Sequence, residues 1–152
     1  MPSFEIQKYV EHHRANMFAL VADVESYPEF LPMCEALSIR SYHREGENSF
    51  FLADMTVHYQ WIREILTTKV SLHPGEGRIK VQYVEGPFQY LENYWIFLPV
   101  KSENACIIEF FIDYKISHPI FSLIAGQMFR NVFCRFIDIF KKRADELYDR
   151  VI

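Results

Sequence analysis

No run of about 18 apolar residues occurs in this 152-residue chain, so none of its segments is suited to cross a bilayer as a helix. Glycine is scarce, and there is no glycine-rich phosphate loop, no G-x-S-x-G nucleophile elbow and no H-E-x-x-H zinc motif. No nucleophile has an evident base near it in sequence, so no enzyme constellation is indicated. Cys34, Cys106 and Cys134 are odd in number, widely spaced and outside any C-x-x-C pair, which argues against a disulfide framework or a zinc site. Three buried, reduced thiols are the expectation. His12 and His13 are the adjacent pair among the histidines, and neighbours on an extended segment point to opposite faces, so no metal site is expected. Basic residues are not in excess: 16 Lys and Arg stand against 20 Asp and Glu, a net charge of -4, which speaks against a surface wrapped around DNA. A local basic patch stays open. With no Gly/Ser linker, repeat or low-complexity tract, one continuous domain over residues 1–152 is expected. The opening MPSFEIQKYV carries neither an Arg-rich presequence nor a basic segment leading into an apolar signal core. The expectation is a bacterial cytoplasmic protein whose folded domain begins almost at residue 1.

What is abundant is apolar and aromatic. Half the residues are hydrophobic and 16% aromatic, with 14 Phe and 9 Tyr, which is more than a small solvated module needs in order to fold. A chain of this length buries roughly 70% of its unfolded surface. The surplus fits an aromatic-rich core or an apolar ligand cavity.

The order of elements follows from the hydrophobic period. Residues 3–10 alternate, with Phe4, Ile6 and Val10 on one side and Lys8 interrupting that face. From residue 14 to 22 the apolar positions Met17, Phe18, Val21 and Ala22 recur at helical spacing. Ser26-Tyr27-Pro28-Glu29 then predicts a second short helix, with Ser as the cap, Pro where its missing N–H costs nothing and Glu completing a capping box, stopped by Pro32. Phe51, Ala53, Met55, Val57 and Tyr59 share one strand face, and further strands are predicted at 37–42, 61–72, 78–84, 90–98 and 105–116. In the last, Ile108, Phe110, Ile112, Tyr114 and Ile116 alternate with Glu109, Asp113 and Lys115, the mark of an antiparallel sheet with one wet face. After Pro119 the period becomes helical and predicts one long helix over 120–150. The class is α+β: a curved antiparallel sheet of about seven strands around a long C-terminal helix, with two short helices after the first strand. That is the helix-grip arrangement.

Three stretches resemble the coenzyme Q-binding START-domain family, which includes proteins described as bacterial ribosome-association toxins and is close to polyketide cyclase-like domains. They are the segment from Tyr27 to Cys34 (YPEFLPMC), the segment from Gly86 to Phe97 (GPFQYLENYWIF), and the Phe-rich terminal helix ending in Lys142-Arg143-Ala144. The first resembles the family's Y-x-x-F-L-P-W-C element and the second its G-P-F-x-x-L-x-N-x-W-x-F element. Nearly the whole chain is covered. Met33 stands where the family often carries Trp, which keeps the site apolar and alters its shape. The resemblance implies a non-catalytic carrier or chaperone that binds ubiquinone or a similar polyprenyl lipid between sheet and helix, in support of respiration. No catalytic cofactor is implied.

Phe30, Leu31 and Met33 then belong to an apolar corner, either a plug on the core or the wall of a ligand mouth. Phe88 closes a sharp connection. Leu91, Asn93, Trp95 and Phe97 share a strand face, so an inward-looking Asn93 needs a hydrogen bond from backbone or from a ligand. Glu64 and Asp113 lie within strands and have no recognisable acid/base partner. On the terminal helix Phe121, Ile124, Met128 and Val132 belong to the ligand face. Its first half is apolar on too many sides to face a sheet alone. Either it packs on the short helices, or Phe121, Leu123 and Ile124 form a surface for transient contact with the inner membrane, with Gly126 as a point of weakness. A ribosome is the alternative partner, with Arg130, Arg135, Lys141, Lys142 and Arg143 as the basic contact. A cyclase-like enzyme is the further alternative.

Overall fold

The computed structural model describes residues 3–117 and 119–148, and for residues 119–125 the backbone alone. In chain order the elements are β1 (Ser3–Val10), α1 (Arg14–Ala22), a 3-10 helix (Val24–Glu29), β2 (Cys34–Glu45), β3 (Asn48–Tyr59), β4 (Ile62–His73), β5 (Arg78–Glu85), β6 (Phe88–Pro99), β7 (Cys106–Ile116), α2 (Pro119–Phe133) and α3 (Phe136–Leu147). The seven strands form one sheet in the order β1-β7-β6-β5-β4-β3-β2, antiparallel throughout. Strands β2 to β7 are a meander, and β1 joins on the free side of β7. No helix among the described residues is long and apolar enough to cross a membrane.

Strand parity fixes the inner face. Leu91, Asn93, Trp95 and Phe97 of β6 are all buried, as are Ile108, Phe110, Ile112 and Tyr114 of β7. Cross-strand registers keep these residues on the same side, Asn93 opposite Ile112 and Trp95 opposite Phe110. Lys8 keeps the parity of Phe4 and Ile6. It is tolerated there because β1 is an edge strand from which its ammonium reaches Asp138 of α3.

Two expected helices differ in the structure. The Ser26-capped helix is a 3-10 helix that starts three residues earlier, at Val24, with Ser26 and Pro28 inside it. Ser26 does not cap; its hydroxyl donates to Asp23 Oδ2 at 2.6 Å. Tyr27 sets the local path instead, since its hydroxyl donates to the Val21 carbonyl and its ring meets the edges of Phe30 and Phe140. The long terminal helix is interrupted at Cys134 and Arg135. Gly126 lies within the continuous helix α2, so it is not the breaking point. The cause is local competition for one carbonyl: Arg135 Nε donates to Asn131 O at 3.0 Å, and the Arg135 N–H turns to Val132 O. A side chain that takes over a ladder acceptor breaks the i to i−4 series.

Candidate functional site

Between the sheet and the C-terminal helices lies an apolar cavity of about 120 Å³. Its floor is the inner face of β2 to β7, where Ala53, Thr68, Val70 and Val81 are short or branched residues. The roof is Phe129, Val132 and Phe133 of α2 with Phe136 and Phe140 of α3. Tyr27 and the turn from Leu31 to Cys34 complete the wall, and Met33 in that turn takes φ 68°, a left-handed conformation.

Among the described residues no charged side chain lines this space. Its polar members are bound or neutral. Asn93 Nδ2 donates to the Phe111 carbonyl at 2.8 Å, and Asn93 Oδ1 accepts from Trp95 Nε1 at 3.1 Å, so the amide is engaged at both ends by the protein. Burial pushes the Tyr27 phenol far above its ordinary value, and it raises the Cys34 thiol to about 11. The wall therefore offers neither a general base nor a thiolate near neutral pH. Its chemistry is exclusion of water.

Of the residues expected at the site, Leu31, Met33, Phe88, Asn93, Trp95 and Val132 lie in the cavity wall. Phe30 stands behind it, its ring against Tyr27 and Phe140 and its other side under the Arg143 guanidinium at 5.1 Å. Met128 is half-buried on α2 and outside the wall. The side chains of Phe121, Leu123 and Ile124 lie outside the described residues. Sequence reasoning missed Ala53, Thr68, Val70, Phe129, Phe133, Phe136 and Phe140 as wall residues. The inward parity of the strand residues was available, but the position of a void along each strand was not.

The cysteines give a direct check on the packing. Cys34 and Cys106 are buried, each thiol raised by that burial to about 11, whereas Cys134 is exposed at the helix break. One equivalent of a disulfide reagent should react promptly with the native protein and two more only on unfolding. Prompt reaction of all three would contradict the placement of β2 and β7.

A curved seven-stranded sheet gripping C-terminal helices over an apolar cavity defines a START-like protein with a lipid-binding fold. The chain belongs to the family described as polyketide cyclase / dehydrase and lipid transport, which it matches over residues 10–141. It is 32% identical over 148 residues to the ribosome association toxin RatA of Escherichia coli K12, covering 97% of this chain and 90% of that protein. It is 28% identical over 145 residues to the mitochondrial coenzyme Q-binding protein COQ10 of Dictyostelium discoideum, covering 95% of this chain and 69% of that protein. The solution structure of an 18 kDa protein from Caulobacter crescentus matches with a TM-score of 0.78 and 25% identity, over 99% of this chain and 100% of that one.

Proposed function

We propose that the protein is a non-catalytic carrier of an apolar lipid with a ring head group, of which ubiquinone is the leading candidate. The observation that carries this reading is a cavity walled mainly by aromatic and aliphatic side chains, with no charged side chain among the described residues that line it. A void of about 120 Å³ is close to the size that accepts a single benzene-like ring, and sites for whole ligands run from about 300 Å³ upward. Uptake of a polyprenyl tail therefore requires the roof to lift. The break at Cys134 and Arg135 supplies the joint. On one side of it, α3 is fastened by Lys8 to Asp138, His12 to Asp145 at 2.6 Å and Arg143 to Glu29 at 2.8 Å. On the other side, the described contacts of α2 with the sheet are ring contacts, Phe129 on Phe88 and Phe133 on Tyr114, with Arg130 over Phe4. Ring contacts slide and reform on a new apolar partner, whereas the hydrogen-bonded pairs of α3, of which His12 is the buried member, hold one geometry. In this reading α2 is the moving half. The tail supplies most of the affinity, about 0.8 kcal/mol for each CH2 buried, and the Thr68 hydroxyl is the wall group placed to meet a head-group carbonyl.

The test is a solvent extract of the purified protein, followed by titration of the stripped protein with a short-chain ubiquinone in detergent. A quinone in the extract, or saturable one-to-one binding, is expected. An empty extract together with no saturable binding would end the reading.

The second reading, an interaction protein acting on the ribosome, is favoured by the 32% identity to a ribosome association toxin. The basic helix residues are unequal for that task. Lys141 pairs with Asp145, and Arg143 is largely covered and pairs with Glu29, leaving Arg130, Arg135 and Lys142 as the exposed cations of the five. Cosedimentation with large ribosomal subunits that weakens steeply with salt, and that is lost in a Arg135→Glu, Lys142→Glu variant, is the result this reading requires.

A further inference from the structure

We propose that the β3–β4 hairpin is the edge on which the protein meets a zwitterionic phospholipid bilayer, with Trp61 as the side chain that enters the interface. This rests on the reading of the cavity as a lipid site. Trp61 is 72% exposed, the largest exposure among the big apolar side chains described, whereas Trp95 is 3% exposed. A bulky ring left in water costs free energy that no internal contact of the fold returns.

The ring is presented on a stiff support. Tyr59 pairs directly with Ile62, so Gln60 and Trp61 alone make the turn, and Gln60 takes φ 54° to do so. His58 Nε2 lies 2.9 Å from the Gln60 carbonyl and braces the turn. Little ordering is needed when the tip binds.

The tip is also continuous with the cavity rim. The His58 N–H donates to the Met33 carbonyl at 2.9 Å, and Cys34 is registered with Val57. Met33, Cys34 and Val57 line the cavity, as does Pro32, which is exposed on the outside of the same rim. A bilayer touching Trp61 therefore lies beside the cavity rim at Pro32 and Met33. Ile65, 59% exposed, follows four residues later on the same outer row of β4.

Charge decides which bilayer. Glu35 pairs with Arg63 at 2.8 Å and lies 3.1 Å from His58 Nδ1, while Glu64, opposite Val57, stays exposed. Among the described residues no basic cluster surrounds the tip, so anionic lipid gives no advantage and the contact is short-lived. An indole has an apolar body and one N–H donor, which suits the head-group level of a neutral membrane.

The test uses the full chain and phosphatidylcholine vesicles with brominated acyl chains, which quench only rings that enter the bilayer. Part of the tryptophan emission should be quenched in the wild type and none in Trp61→Phe, whose remaining emission comes from Trp95. Trp61→Ser should partition roughly tenfold more weakly, with an unchanged melting curve and little effect of salt on the wild type. Absence of quenching in the wild type, or equal quenching in Trp61→Phe, overturns the proposal. So does a Trp61 emission shift that follows protein concentration without vesicles, which would mean a second copy covers the tip, or one seen only with ribosomal subunits. Failure here is separable from failure of the lipid reading: a protein that binds quinone in detergent but is never quenched loses only the docking edge. One that is quenched but binds no quinone loses the cargo.

Discussion

Truncating Trp95 to alanine is expected to cost about 3–5 kcal/mol of stability, a fall in melting temperature on the order of 10 °C for a chain of this size. The ring lies flat against Phe97 and Phe136 and takes the edges of Phe110 and Phe140, with centroid distances from 4.8 to 6.3 Å. It thus joins the floor of the cavity to its roof. Removing it enlarges the void and also strands a polar atom, because Asn93 Oδ1 loses the indole N–H it accepts from. Trp95→Phe separates the two effects: it keeps an aromatic ring and removes the donor, and should cost roughly 1–3 kcal/mol. Denaturant unfolding of both variants measures the difference. A Trp95→Ala protein with an unchanged midpoint would show that β6 turns its other face inward.

Filling the cavity is expected to do the reverse, sparing the fold and abolishing binding. Ala53 is buried on β3 at the cavity floor, registered between Ile39 of β2 and Thr68 of β4. In Ala53→Phe a ring is placed where the structure has a space of about 120 Å³, so the usual overpacking cost of about 1–3 kcal/mol is reduced by the volume it fills. Stability should change little while quinone affinity falls at least roughly tenfold. Val84→Ala, exposed on β5 and outside the cavity wall, is the control and should bind normally. Full quinone occupancy in a folded Ala53→Phe protein would place the ligand elsewhere.

Most of the strand plan was legible, because a strand with one buried face writes itself as alternation. The predicted strands at 3–10, 61–72, 78–84 and 105–116 differ from the observed ones by no more than one residue at each end. Strand β2 was predicted short, at 37–42, because its outer half, up to Glu45, is exposed on both faces and shows no alternation. The terminal helix was legible as helical but not as two helices. Its break depends on Arg135 reaching the Asn131 carbonyl, a bond between a long polar side chain and backbone that no hydrophobic period records.

The amino-acid sequence by itself determined the inward set of residues: Leu91, Asn93, Trp95 and Phe97 had to share a face, and the period change at Pro119 had to bring a helix to cover it. The tertiary structure alone decided where the packing stays incomplete. A void is a difference between facing surfaces, set by how far Ala53, Thr68 and Val70 reach from the sheet and how far Phe129, Phe133 and Phe140 reach from the helices. Those residues are separated by scores of positions along the chain, and no pattern within one segment encodes the gap between two. The same holds for Asn93, whose parity put it inside but whose acceptor across the sheet, Phe111 O on β7, depends on strand register. Parity is a property of one strand; satisfaction and emptiness are properties of what lies opposite.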